Sequence, residues 1–133
     1  MRRCAVGLVF FGTSLTAQTT IESEPLSPLT NAPAQTDYGS APAAQLKLLD
    51  RLAGTVDEVT LPVGITQPLG KLRITLDDCR FPEDNPTGEA FAFVRITEGD
   101  AALFAGWMIA SSPALNALDH PRYDVWVLRC NRP

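Results

Sequence analysis

An all-β fold, a small barrel or sandwich of six to seven short antiparallel strands with one short helix, is what residues 45–133 predict. Three observations carry that prediction. Leu72, Ile74 and Leu76 alternate with Lys71, Arg73 and Thr75, which is the period of a strand with one face in a core and the other in water. The runs Phe91–Thr97, Ala101–Ile109 and Tyr123–Cys130 are apolar on both faces, as the central strands of a sheet are. Turn residues separate the runs: Gly54, Pro62-Val63-Gly64, Pro68-Leu69-Gly70, the loop Pro82–Gly88 and the tight turn Glu98-Gly99-Asp100.

In chain order, Met1-Arg2-Arg3 is a short positive segment, and Cys4–Leu15 is an apolar run that ends near Thr16-Ala17-Gln18. This matches a signal peptide over residues 1–17, cleaved on export. A membrane-spanning helix needs about 20 apolar residues, so the run is too short to stay in a bilayer, and no later stretch is long enough. Residues 18–44 hold Pro25, Pro28, Pro33 and Pro42 among Ala, Ser and Thr, with no apolar period, and read as a flexible, disordered linker. Leu46–Leu52 and Thr55–Leu61 flank Gly54 as a hairpin. Beyond Leu76 the inward parity slips, and a bulge near Asp77-Asp78 brings Cys79 and Phe81 back to the inner face. Ser112 as N-cap and Pro113 at the first helical position start one short helix before Pro121.

The chain has 133 residues, 45% of them hydrophobic, and a formal charge of −4. That is one domain's worth of chain, and it lacks the low hydrophobicity of a disordered protein. The acidic balance, −6 once Arg2 and Arg3 leave with the signal peptide, argues against nucleic acid as a partner, because phosphates require a basic face. Cys4 leaves too, so Cys79 and Cys130 remain. An even count in an oxidising compartment predicts one disulfide, worth about 4 kcal/mol for a loop of this length. Metal binding and redox catalysis are the rivals, but there is no C-x-x-C, and one histidine with two cysteines is a thin zinc set.

Two stretches carry a recognisable string. Leu61-Pro62-Val63-Gly64 leads to Leu69-Gly70-Lys71-Leu72-Arg73-Ile74-Thr75 and Cys79. Further on, Ala105-Gly106-Trp107-Met108-Ile109-Ala110-Ser111-Ser112-Pro113-Ala114-Leu115 runs through Asp119-His120-Pro121 and Tyr123-Asp124-Val125-Trp126 to Cys130. The pattern closely resembles a bacterial family catalogued as domain of unknown function 2155. The resemblance implies a small exported protein. It brings no established activity, cofactor or catalytic residue.

Among possible sites, Ser111 or Ser112 with His120 and a carboxylate suggests a small serine hydrolase, and any such triad must use His120, the one histidine of the chain. No G-x-S-x-G elbow accompanies it, and the serines are expected to cap the helix. Asp77 with Asp78 and Glu83 with Asp84 suggest glycosidase chemistry, but neighbours on a strand point to opposite faces. A calcium site at Glu83-Asp84-Asn85 fits no known loop pattern. Trp107, Tyr123 and Trp126 are core if buried and a stacking platform for a cell-wall glycan if exposed. Parity puts Trp126 with Leu128 and Cys130 in the core and Tyr123 on the open face. The reading with most support is a non-enzymatic interaction or accessory domain in the periplasm, with an envelope protein or a cell-wall glycan as partner and no cofactor or metal. Its expected surface is the Ala110–Tyr123 loop, with His120, Tyr123, Asp124 and Trp107 as binding residues. A carbohydrate-binding module is the alternative.

Overall fold

The computed structural model describes residues 35–132; the expected signal peptide and the linker as far as residue 34 lie outside the described residues. The all-β prediction holds. Among the described residues eight strands follow one another: β1 (Tyr38–Ser40), β2 (Ala43–Asp50), β3 (Thr55–Pro62), β4 (Thr66–Leu69), β5 (Leu72–Pro82), β6 (Phe91–Glu98), β7 (Ala101–Ile109) and β8 (Tyr123–Asn131). A single 3-10 turn, Pro113–Leu115, stands where the short helix was expected. The folded chain starts before the expected boundary at Gln45, since Tyr38–Ser40 pairs with Arg80–Pro82 and β2 opens at Ala43.

Two antiparallel sheets form a sandwich, not a closed barrel. One has the order β1-β5-β6-β7, with β4 also pairing along β5; the other has the order β3-β2-β8. Their inner faces share one core, in which Leu46, Leu48, Ile74, Leu76, Val94 and Val127 are almost completely buried. Each such side chain contributes about 1.5–3 kcal/mol relative to exposure. Cys79 of β5 and Cys130 of β8 are joined, with Cα atoms 5.8 Å apart, so the disulfide ties one sheet to the other.

The expected bulge is present. Leu76 pairs with Val94 and Asp78 with Phe93, so Asp77 is the extra residue and Cys79 returns to the core. A second bulge lies in β8, where Val127 pairs with Leu46 and Arg129 with Gln45, leaving Leu128 over. It overturns the parity reading of this strand. Tyr123, Val125 and Val127 point inward, whereas Trp126 is half-buried on the outer face. Tyr123 is only 1% exposed, not open to solvent.

The runs read as apolar on both faces are also corrected. β6 is central, but only Ala92, Val94 and Ile96 are buried, and β7 is an edge strand of its sheet. A two-layer sandwich covers one face of each sheet, so the outer residues of such a run stay at the surface. The β7 edge is blunted by an extra residue, Leu103, opposite the Ile96–Thr97 step. The Asn116 side-chain amide also donates to the Trp107 carbonyl at 2.9 Å.

Candidate functional site

The loop leading into β8 turns out to be an anchoring network. His120 uses both ring nitrogens. Nδ1 accepts from the backbone N–H groups of Arg122 (3.1 Å) and Tyr123 (3.0 Å), and Nε2 faces Glu98 Oε2 at 3.1 Å. Two N–H donors on Nδ1 require it to be unprotonated, which leaves Nε2 to donate to the carboxylate. The imidazole stacks on Tyr123 with centroids 5.2 Å apart. Asp124 is held by the Arg51 guanidinium in a two-pronged pair. Tyr123 is in the core, so of the four expected binding residues only Trp107, 37% exposed, stands as a large apolar surface residue.

Below this loop Asp50 ends β2. Its carboxylate accepts from Arg122 and from the backbone N–H groups of Leu52 and Ala53, closing the β2–β3 turn. The Arg122 hydrogen bonds, with those two backbone donors, outweigh burial and lower its pKa from 3.8 to about 2. A carboxyl whose folded pKa is depressed adds stability above its unfolded pKa and loses it as pH falls through the folded one. Stability should therefore fall between about pH 4 and pH 2. Asp50→Asn should flatten that part of the acid titration in thermal melts; an unchanged acid profile in the variant would show that Asp50 does not carry it.

The residues suggestive of catalysis are engaged elsewhere. The Ser111 hydroxyl donates to Glu89, which also accepts from the backbone N–H groups of Ala90 (2.9 Å) and Ser111 (3.1 Å). Burial pushes the Glu89 carboxyl up, but the Ser111 hydroxyl and these N–H donors hold it below the usual range. Ser112 is the N-cap of the 3-10 turn but makes no side-chain capping bond, contrary to the expected role of the serines. Serine and histidine thus have separate partners. Asp77 pairs with Arg95 (2.5 and 2.7 Å) and Asp78 with Arg80 (2.7 Å), so the adjacent acids diverge to different arginines. Among the described residues no group of three or more His, Cys, Asp or Glu is placed to hold a metal ion.

The outer face of the larger sheet carries the most distinctive surface. Residues directly opposite one another in an antiparallel pair share a face. Phe93 faces Trp107, Phe91 faces Arg80, and Tyr38 faces Pro82. Tyr38 and Phe91 meet edge to face, with centroids 5.7 Å apart and planes at 76°. Phe93 and Trp107 do the same at 5.4 Å and 80°. The Arg80 guanidinium lies over the Trp107 ring at 5.8 Å. Tyr38, Arg80, Phe91 and Trp107 enclose an open groove of about 230 Å³. Its most exposed aromatic residue is Tyr38, at 52%. The sequence reading missed Tyr38, which sits among linker-like residues with no periodic signal. It also missed Arg80, although the bulge at Asp77 places Arg80 beside Phe91.

Fold and surface together define a small disulfide-stapled β-sandwich domain with an aromatic outer face. The chain belongs to the bacterial family described as "Uncharacterized protein conserved in bacteria (DUF2155)", whose model matches residues 44–130. It is similar to the uncharacterised protein RP359 of Rickettsia prowazekii (strain Madrid E), at 29% identity over 87 residues. That match covers 62% of this chain and 56% of the Rickettsia protein, so the chain spans little more than half the length of that relative. No solved structure matches.

Proposed function

We propose that this domain is a non-enzymatic binding module of the cell envelope that recognises a protein partner through the groove between Tyr38, Arg80, Phe91 and Trp107. One observation carries the reading: aromatic side chains that a core would ordinarily absorb stand together on the solvent side of a sheet, around a cleft. Aromatic and arginine side chains in such a cleft are the usual energetic centre of a protein interface. A periplasmic address is supported by the signal-peptide pattern of residues 1–17 and by a disulfide that an oxidising compartment maintains.

A glycan platform has less support. Stacking a sugar requires a free ring face, and here the rings stand nearly perpendicular to one another while Arg80 lies over the indole. The test is photo-crosslinking in cells from two positions. Ala105 is exposed on β7 opposite Arg95, beside the groove, and Leu115, 75% exposed, is on the β7–β8 loop. A discrete protein adduct from Ala105 that disappears with Trp107→Ala is the expected result. Capture from Leu115 alone would move the surface to the loop and overturn the assignment.

A further inference from the structure

Resting on that reading, we infer that the groove takes a proline-containing segment in the polyproline II conformation. The first argument is shape. The Tyr38–Phe91 and Phe93–Trp107 pairs are each in edge-to-face contact and stand as two ridges, with the groove between one pair and the other, and a compact pyrrolidine ring fits between such ridges where a broad pyranose requires a flat face. A polyproline II segment has no internal hydrogen bonds, so its carbonyls need donors. Tyr38 and Trp107 both line the cleft, and among the described residues neither the Tyr38 hydroxyl nor the Trp107 indole N–H has a hydrogen-bond partner.

The second argument is charge. Arg80, the cation of the groove, is paired with Asp78 at 2.7 Å, and the neighbouring Arg95 with Asp77. The groove therefore offers donors without net charge, which suits neutral carbonyls and not a phosphate or carboxylate. The third argument concerns the edge. A partner strand added to β7 would need an open ladder, but Leu103 interrupts the register and Asn116 occupies the Trp107 carbonyl. A ligand held by its rings and carbonyls needs no ladder.

The test uses the full-length, nitrogen-15-labelled protein and follows the two indole N–H resonances. Decaproline should shift the Trp107 signal and leave that of Trp126, on the other sheet, in place. Trp107→Ala should weaken binding about tenfold or more, the loss usual for an interface anchor, and Trp126→Phe should not. A glycine–serine peptide of equal length and chitotetraose are the comparison probes. No shift with decaproline, or an equal shift with the glycine–serine peptide, overturns the inference. If Ala105 still captures a protein in a Trp107-dependent way, the failure is of ligand class alone. A Trp107 shift with chitotetraose, together with no capture from Ala105, removes the protein-binding reading as well.

Discussion

Removing the Cys79–Cys130 bond should lower the stability of the domain by about 4 kcal/mol, the chain-entropy value for a loop of this size. The two cysteines are 51 positions apart, so the cross-link restricts a large part of the unfolded chain. It also joins β5 to β8, the only covalent tie between the sheets beyond the backbone itself, among the described residues. A domain of this size has a total stability on the order of 5–15 kcal/mol. The loss should appear as a drop in Tm on the order of 20 °C. Cys79 is fully buried and Cys130 is 6% exposed, so reductant reaches the bond slowly and the double variant Cys79→Ala with Cys130→Ala is the better measurement. An unchanged Tm in that variant would refute the stabilising role. Thiol labelling of the unreduced protein should find neither cysteine free; labelling at either position contradicts the bond.

The second large effect is expected at Tyr123. Its ring is buried where the β2–β8 pair meets the β4–β5 turn, and its hydroxyl accepts the Lys71 N–H at 3.2 Å. Gly70 makes this approach feasible: with φ at +59° it adopts a backbone that other residues strain to reach, and a Cβ there would lie 2.9 Å from the Tyr123 oxygen. Tyr123→Ala should cost about 3–5 kcal/mol, as for other buried aromatics. Tyr123→Phe should cost about 1–3 kcal/mol, the cost of leaving a buried N–H unpaired. Denaturant titration of both variants measures the order. If Tyr123→Phe proved as damaging as Tyr123→Ala, the hydroxyl would outweigh the ring and this account of the packing would be wrong.

Several parts of the fold were legible in the residues. The alternation of Leu72, Ile74 and Leu76, followed by a parity slip to Cys79, located the Asp77 bulge, because a buried cysteine cannot share a face with Arg73. The turns at Gly54 and Gly99 followed from glycine's access to positive φ, and both residues adopt it. The candidate site was far less legible. Trp107 was singled out, but Tyr123 was placed on the surface and Trp126 in the core, and both placements reversed when Leu128 proved to be an extra residue. No composition or period marks Leu128 as different from its neighbours.

The amino-acid order alone determined the strand-rich class, the positions of the main turns and the family to which the chain belongs. Each is a property of the chain read locally: period, backbone freedom and the order of the residues. The three-dimensional structure decided that β7 is an edge, that Tyr38 joins the sheet, and that Phe91 and Trp107 flank Arg80. Period-two alternation separates the faces of a strand without saying which face has a neighbour. Only the pairing of strands distant in the chain settles which aromatic side chains fill the core and which are left to meet a partner.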